Sequence, residues 1–139
     1  MPTSAESSEY YSYLRTEIIP LVPAGTKRVL DVGCGTGITS WTLKQRMLCE
    51  HVTGLEIDPD AAADARKRLD VVHECNVGDG VPVAENDFDL VLALDVLEHL
   101  VDPWRTIQEL TQRLKPGGHL IASIPNVRNF RVLLRLALM

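Results

Sequence analysis

The chain has 139 residues, 45% of them apolar and 24% charged, which is the composition of one ordinary globular domain with a real core. Its net charge of −5 excludes a large nonspecific nucleic-acid surface and leaves only a local basic patch at Arg128, Arg131 and Arg135. No apolar run approaches the roughly 18 residues of a membrane span, and the polar opening residues show no secretory leader.

Residues 1–7, rich in Ser, Pro, Thr and Glu, read as a disordered tail. Tyr10, Tyr11, Leu14 and Ile18 recur at helical spacing, predicting a helix over 8–22 closed off by Pro20 and Pro23. An apolar strand over 28–32 then runs into three glycines, and a helix follows over 36–48. A second strand occupies 51–57. Asp58-Pro59 supplies an N-cap and a proline at the first helical position, opening a helix that runs to residue 69. A third strand over 71–76 and a polar connection over 78–87 lead to an apolar fourth strand, 88–94. A short helical piece covers 96–100. Asp102-Pro103 repeats the cap-and-proline device and opens a helix that ends at Lys115-Pro116-Gly117-Gly118. The fifth strand is 119–124, and 127–139 reads as an amphipathic helix through Phe130, Leu133, Leu134, Ala137 and Leu138. Helices alternating with continuous apolar strands predict one α/β domain over 8–139 built on a parallel sheet.

The segment from Arg28 to Gly37 carries the strongest functional signal. Gly33, Gly35 and Gly37 lie two apart between a strand and a helix, where they let the backbone turn sharply and approach a ligand. Asp31 stands two residues before the first of them. A nucleotide-type ligand suits such a loop; a purely structural tight turn is the bland alternative. A phosphate-binding P-loop would need Gly-Lys-Ser/Thr where the chain has Gly37-Ile38-Thr39, and the dinucleotide fingerprint would need a glycine at Ile38. Glu56 lies at the end of the second strand, where an acid accepts hydrogen bonds from ribose hydroxyls; a solvated strand-end carboxylate is the alternative. Three cysteines, Cys34, Cys49 and Cys75, form no zinc spacing and read as small reduced thiols in a cytoplasmic protein. Cys34, though inside the loop, reads as packing.

Val29-Leu30-Asp31-Val32-Gly33-Cys34-Gly35-Thr36-Gly37 resembles motif I of the class I S-adenosylmethionine (SAM)-dependent methyltransferases, of the small-molecule, quinone and sugar O-methyltransferase kind. Gly54-Leu55-Glu56-Ile57-Asp58, Phe88-Asp89-Leu90-Val91, Asp95-Val96-Leu97-Glu98-His99-Leu100 and Ile124-Pro125-Asn126 resemble later segments of the same family, in the right order. The resemblance implies a Rossmann-like sheet of order 3-2-1-4-5 that lacks the last two strands of the full fold, so the chain reads as truncated after strand five. An exposed fifth strand and last helix would then favour self-association. It also implies the site. Asp31 and the Gly33 carbonyl meet the ammonium group of SAM, with Cys34, Gly35 and Gly37 completing the loop. Glu56 and Ile57 lie at the ribose, Asn76 and Val77 at the adenine, and Ala93 and Leu94 at the methionine end. A competing register puts Asp79 at the adenine instead. Asp58 is more simply a helix cap.

Asp95, Glu98 and His99 share one face of a helical turn, so two carboxylates and an imidazole could converge on a divalent cation. Similar acid-x-x-Glu-His elements hold metal in small-RNA 3′-end ribose 2′-O-methyltransferases and in some quinone-ring O-methyltransferases. The other readings make His99 a general base, or make the group a loop-orienting device. Tyr10 and Tyr11 either pack on the core or fold over the cofactor as a lid. Trp41 and Trp104 read as packing residues, and His51, His73 and His119 carry no assigned chemistry. The implied reaction is methyl transfer from SAM, leaving S-adenosylhomocysteine (SAH), to a small-molecule acceptor, at oxygen. Nucleic acid and membrane are not expected partners. The rivals are a metal-dependent RNA ribose methyltransferase, a nicotinamide-dependent oxidoreductase, and a SAM-binding domain without activity.

Overall fold

The computed structural model describes residues 3–124. The 127–139 helix, the Pro125-Asn126 turn and the Arg128, Arg131 and Arg135 patch lie outside those residues, as does the self-association expected of that helix. The elements run in the order α1 (Ser4–Tyr11), a 3-10 turn (Thr16–Leu21), β1 (Arg28–Val32), α2 (Ile38–Gln45), β2 (His51–Glu56), α3 (Pro59–Ala65), β3 (Val71–Glu74), β4 (Phe88–Leu94), α4 (Pro103–Thr111) and β5 (Leu114–Ser123). Two further 3-10 turns, Val77–Asp79 and Leu97–His99, follow β3 and β4.

The five strands form one parallel sheet in the order β3-β2-β1-β4-β5, the order implied by the family resemblance. Val32 of β1 lies opposite Leu55 of β2 on one side and Ala93 of β4 on the other. The C-terminal ends of the three central strands are therefore level, and strand order reverses between β1 and β4, where open α/β sheets bind ligands.

Alternation along the strands divides the core into two layers. Leu30, Val32, Val91 and Ala93 face Leu110 of α4. Val29, Val52, Leu90 and Leu92 face Leu43 of α2 and Ala65 of α3. Leu43 and Leu110 are fully buried, and each such burial stabilises the fold by about 1.5–3 kcal/mol. At the opposite end of the sheet, Asp89 accepts hydrogen bonds from the amides of Lys27 and Arg28 at 2.9 and 2.8 Å. Burial raises the Asp89 carboxyl, but Lys115 and these two amides hold it below the usual carboxylate range. The aspartate thereby ties the start of β1 to β4.

Both predicted cap-and-proline starts form. Asp58 accepts from the Ala61 amide at 2.8 Å, and Asp102 from the Arg105 amide at 3.1 Å. Several boundaries differ from the sequence reading: α2, α3 and α4 end at Gln45, Ala65 and Thr111, short of the expected 48, 69 and 115, and three further differences have a visible cause. The helix expected over 8–22 divides: α1 begins already at Ser4, inside the expected tail, and ends at Tyr11. It stops there because the Tyr11 carbonyl accepts from the Thr36 amide and hydroxyl at 3.0 and 3.1 Å. The third strand ends at Glu74, because Asn76 caps the turn that follows. The fifth strand starts at Leu114, not 119. Leu114 pairs with Phe88, Lys115-Pro116-Gly117-Gly118 forms an irregularity within the strand, and pairing resumes between His119 and Leu90. An ion pair from Lys115 to Asp89 helps hold that early start in place.

Candidate functional site

The glycine loop folds back over β2. The amides of Gly33 and Cys34 both donate to the Leu55 carbonyl, at 2.7 and 3.0 Å, and the Gly37 amide donates to the Cys34 carbonyl at 2.9 Å. Gly33 and Gly35 have φ of +68° and +57°, a conformation that strains any residue with a Cβ. Space forbids a side chain as well. A Cβ on Gly33 would lie 2.5 Å from a Val96 methyl, and one on Gly35 would lie 2.5 Å from the Tyr11 carbonyl oxygen. The loop is thus clasped between the end of α1 and the turn after β4.

Two buried acids stand beneath it. Asp31 is 4% exposed and accepts a hydrogen bond from the Ser40 hydroxyl at the start of α2. Burial pushes its carboxyl up to about 7; the Ser40 bond opposes the rise, and the charge of Glu56 adds to it. Glu56 is 3% exposed and accepts from the Gly35 amide at 2.8 Å and the Asp58 amide at 2.9 Å. One carboxylate therefore positions the loop and, through Asp58, the start of α3. The Cys34 thiol is also buried, which pushes its pKa far up, so it stays a protonated packing group.

The remaining residues singled out in the sequence fall into two sets. Ala93 is buried at the end of β4 and Leu94 is half-buried beside it. Val77 is buried and Asn76 is exposed, with its side-chain carbonyl accepting from the Gly78 amide at 3.0 Å. Asp79 is exposed on the same turn, and Ile57 is exposed where the chain leaves β2. These all lie at or just beyond strand C-termini. The Asp95, Glu98 and His99 trio, by contrast, is not assembled. Asp95 has φ +58°, its carboxylate accepts from Arg15 Nη1 at 2.6 Å and from the Ser123 hydroxyl at 2.9 Å, and its amide donates to the Ser123 carbonyl. Asp95 lies before the turn Leu97–His99, in a left-handed conformation and held by Arg15 and Ser123, so the expected common face does not arise. His99 is exposed, its Nε2 is 3.6 Å from Glu98 Oε1, and no cluster of three metal-ligating side chains occurs among the described residues.

Sequence reasoning missed Arg15, Ser40 and Ser123. Arg15 is 8% exposed; besides Asp95 it donates to Ser123, pairs with Glu17, and its amide donates to the Thr39 hydroxyl. A single arginine in a polar segment gives no sign that it is buried. Tyr10 was read as packing or lid. Its ring is 60% exposed and meets that of Tyr11 edge-on at 5.3 Å. Partial burial and then the charges of Asp95, Glu98 and Glu56 raise its phenol, and its exposure keeps it out of the core. Trp104 is 75% exposed and borders a cavity, contrary to its reading as a packing residue.

Comparison with known proteins agrees with this geometry. The profile of a methyltransferase domain family matches residues 30–122. The ubiquinone biosynthesis O-methyltransferase of Aromatoleum aromaticum is 34% identical over 115 residues, covering 78% of this chain and 47% of that protein. That of Coxiella burnetii is 33% identical over 113 residues, with the same shares covered. The chain spans about half the length of these curated relatives. Among solved structures, SAM-bound CalS10, an amino pentose methyltransferase from Micromonospora echinaspora, superposes with a TM-score of 0.65 at 28% identity, covering 86% of this chain and 50% of that one.

Proposed function

This chain belongs to the class I SAM-dependent methyltransferases, and from that membership we propose that it binds SAM over the glycine loop and transfers the methyl group to an oxygen of a small-molecule acceptor. The observation that carries the reading is the bond from the Gly35 amide, in the loop after β1, to the buried Glu56 carboxylate at the C-terminal end of β2, on the sheet end where open α/β sheets bind ligands. It sets a fixed acid and an exposed loop glycine, Gly33, side by side at the strand ends.

The donor set suits the group. Asp31 is a buried carboxyl with the Ser40 hydroxyl beside it and a pKa near neutrality, so an ammonium group next to it would favour the ionised form. Glu56 has further lone pairs for ribose hydroxyls once the two amides are served. In this reading Asn76 and the Val77 amide lie at the adenine, with Asp79 as the other register. Ile57 covers the ribose, and Ala93 and Leu94 back the methionine end. Because Gly33 and Cys34 direct their amides to Leu55, the loop offers its carbonyl and Cα surfaces there, not those two donors.

When bound, SAM supplies an electrophilic methyl group on a sulfonium. The protein then has to align the acceptor and exclude water. In this reading Tyr10 and Tyr11, whose rings meet edge-on, serve as the lid that excludes it, and the exposed His99 takes the acceptor's proton. Among the described residues no helix is long and apolar enough to cross a membrane; the cytoplasm is the proposed location. Calorimetric titration of the full chain with SAH tests the reading. Saturable one-to-one binding supports it, and absence of binding overturns it.

A further inference from the structure

We propose that Arg15 is a positioning residue for methyl transfer. By holding Asp95 in its left-handed conformation, it sets the turn after β4 against the glycine loop and so presets the wall at the methionine end of SAM. The inference rests on the methyl-transfer reading above and adds to it a residue from outside the sheet.

Arg15 lies between α1 and the 3-10 turn Thr16–Leu21, yet its side chain is 10% exposed. Its Nη1 donates to Asp95 Oδ2 at 2.6 Å and its Nη2 to the Ser123 hydroxyl at 3.1 Å. That hydroxyl donates in turn to Asp95 Oδ1 at 2.9 Å. The three side chains close a ring, with the serine as acceptor and donor and both carboxylate oxygens engaged. On its other side, the Arg15 amide donates to the Thr39 hydroxyl at 3.1 Å, in the first turn of α2. One residue therefore reaches the ends of β4 and β5 and the helix that follows the glycine loop.

A buried ion pair by itself adds little net stability, because desolvating two charges offsets their attraction. The contribution of this one is geometric. Asp95 has φ +58°, in a region that residues with a Cβ occupy where their partners fix them. That conformation sets the direction the chain takes between Leu94 and Val96. Val96 is thereby placed over the loop, its Cγ2 methyl 2.5 Å from where a Cβ on Gly33 would stand. The strand end at Leu94 and the cover on Gly33 thus depend on Asp95, and Asp95 on Arg15. Without its partners, an L-residue takes the left-handed form in roughly a tenth of molecules or fewer. The affinity of a ligand that needs that form falls by the same factor.

The test is calorimetric titration of the full chain with SAH, each variant being shown folded by near-ultraviolet circular dichroism at the titration temperature. Arg15→Met should weaken SAH binding about tenfold. Arg15→Lys keeps a cation for Asp95 but loses the fork that also reaches Ser123, and should weaken it about threefold. Asp95→Gly and Asp95→Ala both remove the carboxylate that Arg15→Met leaves unpaired, but only glycine adopts positive φ freely. Added to Arg15→Met, Asp95→Gly should bring SAH affinity back to within about threefold of wild type, and Asp95→Ala should not. Asp89→Asn, which weakens the tie between β1 and β4 at the far end of the sheet, should lower stability yet leave SAH affinity within about twofold. Wild-type affinity in Arg15→Met, or Asp95→Gly and Asp95→Ala acting alike, overturns the positioning role while the methyl-transfer reading stands. If Arg15→Met does not fold, Arg15→Lys decides: weakening beyond that of Asp89→Asn supports the role, and the same affinity as Asp89→Asn overturns it. If the wild-type chain does not bind SAH, both fail.

Discussion

Glu56 Oε1 and the Gly35 amide meet at 2.8 Å in the buried interior of the site, joining two segments 21 residues apart. The same carboxylate accepts from Asp58, the cap of α3. Glu56→Ala should therefore act twice. It should weaken SAH binding by about 1–3 kcal/mol through the lost ribose acceptor, and it should lower stability by a similar amount by leaving two amides unpaired. Calorimetry and urea denaturation separate the two effects. Unchanged SAH affinity would move the ribose elsewhere.

The glycine loop gives a paired comparison. Gly35→Ala places a Cβ 2.5 Å from the Tyr11 carbonyl oxygen at φ +57°, whereas a Cβ on Gly25, at φ +82°, meets nothing within 4 Å. Both changes incur a left-handed backbone cost of about 1–2 kcal/mol. Only Gly35→Ala should exceed it and free α1, seen as faster amide hydrogen exchange in Ser4–Tyr11. Equal destabilisation of the two variants would mean that the contact with Tyr11 contributes nothing.

Asp31 sets a pH dependence. Its folded pKa, about 7, lies above the ordinary 3.8, so between those values the folded chain holds a proton that the unfolded chain has released. Stability should then fall as pH rises through that window, with the penalty complete above about 7. The urea midpoint, followed from pH 5 to pH 8, should show this slope in the wild type and lose it in Asp31→Asn. A ligand ammonium favours the ionised carboxylate, so SAH binding near pH 6.5 should release protons, measurable by calorimetry in buffers of differing ionisation enthalpy. A wild-type midpoint that is flat or rises with pH would contradict the assignment.

Arg15 fastens the N-terminal segment to the strand ends. Its guanidinium reaches Asp95 at 2.6 Å and Ser123 at 3.1 Å, with Arg15 and Asp95 side chains 10% and 27% exposed. Arg15→Met should destabilise the chain by about 2–4 kcal/mol, because it leaves Asp95 a largely buried charge without its cation. Adding Asp95→Asn, which tolerates positive φ and carries no charge, should recover part of the loss. Additive effects in this double-mutant cycle would show that the pair is not coupled.

Local chemistry made much of the fold readable in advance. Asp58-Pro59 and Asp102-Pro103 marked helix starts because the cap and the fixed proline φ act within four residues. The strands β1, β2 and β4 were legible as apolar runs, since both faces of a parallel strand are covered. What stayed hidden depends on partners distant in sequence. The end of α1 is set by Thr36, the early start of β5 by Phe88 and Asp89, and the burial of Arg15 by Asp95 and Ser123. The spacing of Asp95, Glu98 and His99 suggested one helical face. The left-handed conformation of Asp95 and its Arg15 contact separate them, which no spacing rule reports.

The central claim is that SAM lies across Gly33–Gly37 and Glu56, and amide NMR tests it most directly. Titration of the 15N-labelled full chain with SAH should give saturable one-to-one shifts concentrated in residues 33–37, 56–58 and 75–79, with the bottom of the sheet around Lys27 and Asp89 unmoved. No shifts at saturating SAH, or shifts confined to residues away from those strand ends, would contradict it.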